Sequence, residues 1–412
     1  MRKFRVLVCM ASVLLAGFSG VAPARDNPRW IGTWATSPAG LPTLAKIGTR
    51  VLPVPTRVQG TFRVRLRISL GGRQVRLRFS NEYGDSPLTL NAVTVGIAAD
   101  GLDAAPGSLR KVTFAASEAM TLPAGAPGLS DPIDLPVKAS GDLVVSVYVR
   151  DGVSAFHCDQ GEAGDQAVVE DSNATLVEHL PVGKCLYLAR PLVSEVDVLA
   201  DHPRKVIVTL GDSITDGDVD PKTGERGWPG ALARRLQGAE ISVANAGIGG
   251  NRLLQTLPMF GVSALSRLDR DVFAIPGVTH IVLLEGINDI RTTGAASVLG
   301  DSPMVEPQAL IAAYSQVIAR AHERGVKVIG ATLLPFGGAG YYTEERDNVR
   351  TAVNEWIRTG RKFDGVIDFD AAMRDPKDPQ KIKPQYDSGD HLHPNFEGYR
   401  QMGEMVDLRL FN

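Results

Sequence analysis

The amino-acid sequence predicts an α/β fold in its second half, a parallel sheet with helices on both faces, preceded by an antiparallel β-sandwich domain. Three observations predict it. From Trp30 to about Leu199, short apolar runs with a period of two are separated by Gly, Pro, Asp and Ser clusters, and no segment has a convincing helical period. From Val206 onwards, β-branched runs alternate with stretches of period 3.6. The length, 412 residues, exceeds what one domain usually needs.

The first residues stand apart from both halves. Arg2, Lys3 and Arg5 precede the apolar run Val6 to Ala16, and Ala22-Pro23-Ala24 supplies a cleavage site of small residues. This is the pattern of a secretory signal peptide over residues 1–24, and the run is too short to span a bilayer. No Cys follows it at a lipoprotein-like cleavage point. The chain is therefore expected to be secreted or periplasmic, without stable membrane insertion, and its domains to cover 25–200 and 201–412. A hydrophobic content of 44% and a formal charge of −2 speak against disorder and against nucleic acid or a polyanion as partner. Of three cysteines, Cys9 leaves with the leader, and Cys158 and Cys185 are expected to form a disulfide. Closing that loop of about 27 residues would stabilise the fold by roughly 3.5 kcal/mol.

In the first half, Phe62, Val64, Leu66, Ile68 and Leu70 alternate with Thr61, Arg63, Arg65, Arg67 and Ser69. Gly71-Gly72 then turns the chain, and Val75, Leu77 and Phe79 alternate with Gln74, Arg76 and Arg78, which reads as a hairpin. The arginines on the other face are expected to be solvated charge that discourages edge pairing. Further strands are expected at Ala92–Ile97, Val112–Ala115, Leu143–Val149 and Cys185–Leu188. Trp30 and Trp34 are core aromatics or a platform for sugar rings. Asn173-Ala174-Thr175 is a glycosylation sequon.

In the second half, strands are expected at Val206–Leu210, Ile241–Ala244, Ile281–Leu284, Val326–Leu333 and Val366–Asp368. Helices are expected at Trp228–Leu236, Pro307–Glu323 and Thr343–Thr359, with a last one after Pro394. Ligands of such sheets bind outside the carboxyl ends of the strands, and the candidate functional residues all follow strands or precede the last helix.

Ser213, in Gly211-Asp212-Ser213-Ile214-Thr215-Asp216-Gly217, is a candidate nucleophile delivered by the first of these strands. Such a hydroxyl needs a base. Of the seven histidines, only His391 and His393 sit beside a carboxylate in a polar loop of the second half, in Asp390-His391-Leu392-His393-Pro394. An acid three residues before an imidazole can hold the tautomer that frees its other nitrogen for Ser213. The two imidazoles also suggest a metal site, but no further Cys, His or Glu cluster completes a ligand set. Attack on an acyl carbonyl creates an oxyanion, and Gly249-Gly250-Asn251 and Gly286-Ile287-Asn288-Asp289 offer hydrogen-bond donors for it. Gly247-Ile248-Gly249 is a poor dinucleotide fingerprint because Arg252 stands where the third glycine belongs. No G-x-S-x-G elbow occurs.

Gly211-Asp212-Ser213-Ile214, the glycine loop at Gly250, Gly286-Ile287-Asn288-Asp289 and Asp390-His391-Leu392-His393 together resemble the four blocks of the GDSL or SGNH hydrolases, over roughly residues 205–408. The resemblance implies a flavodoxin-like, five-stranded parallel sheet between helices. It implies Ser213 as nucleophile, His393 as base and Asp390 as its orienting acid, with an oxyanion hole from the Ser213 N–H, Gly250 and Asn288, and no metal or organic cofactor. Ile214 replaces the family's eponymous leucine at a packing position.

The segment Trp30-Ile31-Gly32-Thr33-Trp34-Ala35 and the turn at Gly71-Gly72 make the first half look like that of secreted two-domain members related to acetylxylan esterases. The implied activity is a serine esterase that removes acyl groups, chiefly acetyl, from a carbohydrate or small ester through an acyl-enzyme, so that its partner is an ester substrate, small or polysaccharide. A lipase, a lysophospholipase or a broad arylesterase is the alternative within that class, and a glycan-binding protein with an incidental hydrolase fold is the alternative outside it. The loop Arg291–Pro307, rich in small residues, is a candidate pocket rim for either enzyme. Oligomeric state is not legible in the sequence.

Overall fold

A computed structural model describes residues 28–40, 46–47, 50–51, 56–157, 166–180, 186–187, 192–201, 204–257, 260–293 and 303–412. The expected leader, Cys158, Cys185 and residues 294–302 of the expected pocket rim lie outside the described residues.

The first half is built from antiparallel strands in two main sheets. One runs Arg29–Ala35, Val193–Ala200, Val75–Ser80, Pro127–Leu129. The other runs Gln166–Glu170, Thr56–Arg67, Asp142–His157, Ala92–Ile97, Arg110–Lys111, with Leu186–Tyr187 paired to the end of Asp142–His157. Ile68, Val75, Leu77, Phe79, Val95 and Val145, all shut off from solvent, belong to the core that the two sheets share.

That arrangement corrects the hairpin. Thr56–Arg67 and Val75–Ser80 carry the expected alternation but pair with different partners in different sheets. Gly71-Gly72 is the crossing between the layers. A Cβ at Gly71 would lie 2.5 Å from the Val137 carbonyl oxygen and one at Gly72 2.9 Å from that of Leu199, so only glycine lets the backbones pass. Two strands whose apolar residues face one core satisfy burial equally well side by side or face to face, and periodicity cannot tell these apart. The expected strand Val112–Ala115 is also shifted. Its ladder is Arg110–Lys111, and Ala115 and Ala116 turn in the left-handed region (φ 49° and 67°).

The arginine stripe is the second correction. Arg63 is 1% exposed, and its guanidinium donates to Ser146 Oγ (2.7 Å) and to the Leu102, Val177 and Glu178 carbonyls. Arg65 and Arg67 both grip Asp142, and Arg76 and Arg78 face Asp197 and Glu195 across a ladder. These are paired structural charges rather than solvated ones. Trp30 lies under Arg76, 4.6 Å from ring centre to guanidinium, and Trp34 packs on the core.

The second half is a five-stranded sheet in the order Ile241–Gly247, Lys205–Gly211, Val278–Leu284, Lys327–Ala331, Gly365–Ile367, every pair parallel. This is the doubly wound order 2-1-3-4-5. Val206–Gly211 is buried without a break, as a strand must be when both faces are covered. The helices Gly227–Arg235, Pro307–His322, Glu344–Thr359 and Phe396–Met405 lie where period 3.6 put them. Pro307 opens its helix, and Thr343 Oγ1 and Asn395 Oδ1 cap theirs.

The halves are joined by more than a linker. Ser242 Oγ donates to the Gly32 carbonyl (2.6 Å), Ser69 Oγ accepts from the Val243 N–H (3.0 Å), and the Gly32 N–H donates to the Pro276 carbonyl (2.9 Å). A single hydrophobic cluster runs from Ile31 through to Phe411.

Candidate active site

The strand Lys205–Gly211 ends where Asp212 caps a one-turn helix, Ser213–Asp216, by accepting the Ile214 N–H at 2.9 Å. Ser213 is thus the first helical residue, at the carboxyl edge of the sheet's second strand in spatial order. A side chain there stands clear of the strand and faces the loops that follow its neighbours.

The expected base, His393, reaches Ser213 from the far end of the chain. Ser213 Oγ lies 2.8 Å from His393 Nε2, and His393 Nδ1 lies 2.5 Å from Asp390 Oδ2. An acceptor on Nδ1 fixes the proton there, so Nε2 is free to accept the Ser213 hydroxyl proton. Asp390 is held in turn: its Oδ1 accepts from Ser388 Oγ and from the Leu392 and His393 N–H groups, all within 2.9 Å. Burial pushes the Asp390 carboxyl up, but these N–H groups, the ring and its charge outweigh that and hold it well below the usual carboxylate range. The carboxylate form is thereby favoured beneath the imidazole.

The other imidazole is employed elsewhere. His391 Nδ1 pairs with Asp387 Oδ2 at 2.6 Å, and His391 sits in the left-handed region (φ 62°), its ring against Gly338. Each histidine therefore has its own acid. Among the described residues no three His, Cys, Asp or Glu side chains converge as metal ligands.

The expected oxyanion donors lie in two neighbouring loops. Gly250 has φ 74°, and a Cβ there would lie 2.4 Å from the Phe260 ring, which explains the glycine. Asn288, 1% exposed, is the second residue of the helix Ile287–Arg291 and donates from Nδ2 to the Asn251 carbonyl at 2.9 Å. That bond ties the amide to the residue after Gly250 and leaves its second N–H uncommitted. Neither the Ser213 nor the Gly250 N–H donates to a protein acceptor among the described residues. Behind them, the Ile248 N–H donates to the Gly211 carbonyl (3.0 Å), joining this loop to the strand that leads to Ser213. Ser213, His393 and Asp390 thus form one hydrogen-bonded chain, and Gly250 and Asn288 are brought together by Asn251.

Sequence reasoning missed what lies underneath. Asp212, Glu285 and Asp289 are buried carboxyls beneath these loops. Burial pushes Asp212 and Asp289 up to about 6, and Glu285 well above its ordinary range. Asp289 accepts the Leu253 and Leu254 N–H groups (2.8 and 2.9 Å) and so anchors the loop after Gly250. One guanidinium, Arg267, lies among them, 3.1 Å from Asp271 and 3.9 Å from Glu285. The only sequence signal for Arg267 was its i,i+4 spacing to Asp271, which reads equally as an exposed helix pair.

Residues 209–401 match the model of the GDSL-like Lipase/Acylhydrolase family. No curated protein matches the chain. Solved structures that overlap it include a GDSL-like lipase from Bacteroides thetaiotaomicron (19% identity, 51% of this chain and 88% of that one, TM-score 0.38). An aryl esterase from M. smegmatis overlaps too (18% identity, 48% and 95%, TM-score 0.38), as does an acetyl xylan esterase, AlAXEase (20% identity, 48% and 96%, TM-score 0.37). At such TM-scores these three bear no weight, and the assignment rests on the matched family and on the sheet order seen directly. The chain carries, over residues 209–401, a GDSL-like lipase/acylhydrolase domain on a five-stranded parallel sheet, behind an N-terminal antiparallel sheet domain.

Proposed function

We propose that the protein is an exported serine esterase that removes acyl groups, chiefly acetyl, from carbohydrate or small esters. The observation that carries the reading is the chain Ser213 Oγ, His393, Asp390, with contacts of 2.8 and 2.5 Å. In the first step Ser213 Oγ bonds to the ester carbonyl carbon while His393 Nε2 takes its proton. The Ser213 N–H, the Gly250 N–H and Asn288 Nδ2 hold the resulting oxyanion. Collapse breaks the ester C–O bond, and His393 returns the proton to the departing alcohol. Water then attacks the acyl-serine with the same base, releasing the carboxylic acid and restoring Ser213.

The basic and apolar opening of the chain supports export, and Cys158 with Cys185 would then meet an oxidising compartment in which to pair. The two tryptophans give a glycan platform little support, because Trp30 is under Arg76 and Trp34 is packed on the core.

Ser213→Ala tests the reading. Hydrolysis of 4-nitrophenyl acetate is expected to fall by at least about 10⁴-fold with the thermal unfolding curve unchanged; retained turnover would show that another group is the nucleophile. A series of nitrophenyl esters of increasing acyl length then separates the substrates. A sharp preference for acetate supports deacetylation, and a rise towards long chains favours a lipase.

A further inference from the structure

We propose that Arg267 is a positioning residue for the oxyanion hole, and that through Ser37 the N-terminal domain takes part in catalysis. The inference rests on the esterase reading for its kinetic consequences, though not for its geometry.

Arg267 lies in the short helix Ala264–Leu268 and is 1% exposed. Its guanidinium touches every segment that leads to an oxyanion donor. Nη2 donates to the Gly211 carbonyl (3.0 Å), two residues before Ser213. Nη1 donates to the Ala246 carbonyl (2.6 Å), at the end of the strand that feeds Gly250. Nε donates to Asn251 Oδ1 (2.9 Å), and the Asn251 carbonyl receives the Asn288 amide. Nη2 also lies 3.9 Å from Glu285, three residues ahead of Asn288. The remaining contacts of Nη1 are Asp271 Oδ2 (3.1 Å) and Ser37 Oγ (3.0 Å), the latter from the N-terminal domain.

Two consequences follow from this placement. A planar fork with five N–H donors can fix three loops at once, which an ammonium on a flexible stem cannot. The guanidinium adds a side-chain donor to the Gly211 and Ala246 carbonyls at the ends of neighbouring strands, so without it each would lose a buried hydrogen bond that ties its strand end to the others. The positive charge also sits beside Asp271 and Glu285, whose buried carboxyls it faces at 3.1 and 3.9 Å. Since the donors grip charge that exists only in the transition state, disturbing them lowers kcat and leaves KM nearly untouched.

The experiment uses the full-length protein with Arg267→Lys, Arg267→Met and Ser37→Ala. Displacing donors by a fraction of an ångström is expected to lower kcat for 4-nitrophenyl acetate about 100-fold in both Arg267 variants, with KM within about twofold. Low-millimolar guanidinium, but not methylammonium, is expected to restore part of the Arg267→Met turnover. Ser37→Ala, which removes one of the bonds, is expected to cost about threefold in kcat. Amide hydrogen exchange over residues 245–252 is expected to quicken in Arg267→Lys and Ser37→Ala, and this readout needs no substrate. A folded Arg267 variant with kcat within about twofold of the parent, or with its loss confined to KM, overturns the proposal. Unchanged exchange in Arg267→Lys overturns it as well. If Arg267→Met does not fold, the other two variants decide. A parent protein inert towards every ester would sink the esterase reading, and the exchange measurement would still judge Arg267.

Discussion

Arg63 in the antiparallel sheets and Arg267 beside the parallel sheet are each 1% exposed, and each spends its guanidinium on main-chain carbonyls. Arg63 holds Leu102, Val177 and Glu178, which belong to loops that cover the six-stranded sheet. Arg267 holds Gly211 and Ala246, whose strands lead to Ser213 and Gly250. In both, burial loosens the hold on the guanidinium proton, with Asp103 opposing in the first case and Asp271 and Glu285 in the second. A buried guanidinium is the same device twice, a multiple donor that gathers carbonyls from several segments of the chain. What it achieves depends on what those carbonyls lead to: stability alone in the first half, donor geometry in the second.

The contrast can be broken, beginning with the largest effect. Ser213→Ala should remove activity and spare stability, since among the described residues the hydroxyl anchors nothing but His393. Asn288→Ala should lower kcat by about 10²–10³-fold, or about 3 kcal/mol, if its amide reaches the oxyanion; an unchanged kcat would remove it from that role. Arg63→Met should do the opposite, costing about 3 kcal/mol in a denaturant titration through the unmet Leu102 and Val177 carbonyls and Ser146, with kcat/KM unchanged. A kinetic defect in folded Arg63→Met would end the comparison.

The smallest effect concerns pH. His280, 3% exposed, pairs Nδ1 with Thr279 Oγ1 (2.9 Å) and has no partner for Nε2 among the described residues. Burial, then Lys327 and Lys205, pushes it down from 6.5 to about 4. A folded-state value below the unfolded one means that stability is fully present above pH 6.5 and is lost as pH falls towards 4. Water screens the two lysines, so the loss is about 2 kcal/mol rather than the whole shift. His280→Asn should lack it, giving a flatter unfolding midpoint between those pH values; parallel curves for the two proteins would rule the histidine out as the source.

Much of the catalytic half was legible in order along the chain. The helices over 307–322 and 344–359 follow from period 3.6 with Pro307 and Thr343 at their starts, and all five strands follow from apolar runs. The candidate residues were legible because their chemistry needs particular side chains beside particular glycines. In the antiparallel half the strands were largely found, but their partners were not. Leu66 and Leu77 show why: each alternates correctly, and alternation says which face is dry without saying which strand lies alongside. Arg63 and Arg267 were illegible for a related reason, since a charged residue in an amphipathic pattern is ordinarily outside.

Sequence alone determined the local matters here: which runs extend, which coil, where they are capped, and which hydroxyl, imidazole and carboxylate have the right chemistry. These follow from steric preferences and side-chain pKa values that act within a few residues. Only the tertiary structure decided that Gly71-Gly72 crosses between layers, that Arg63 and Arg267 are shut away, and that Ser37 of one half meets the loops of the other. Those outcomes turn on contacts between residues 16 to 230 positions apart, where the cost of burying a charge is offset by carbonyls that no local pattern announces.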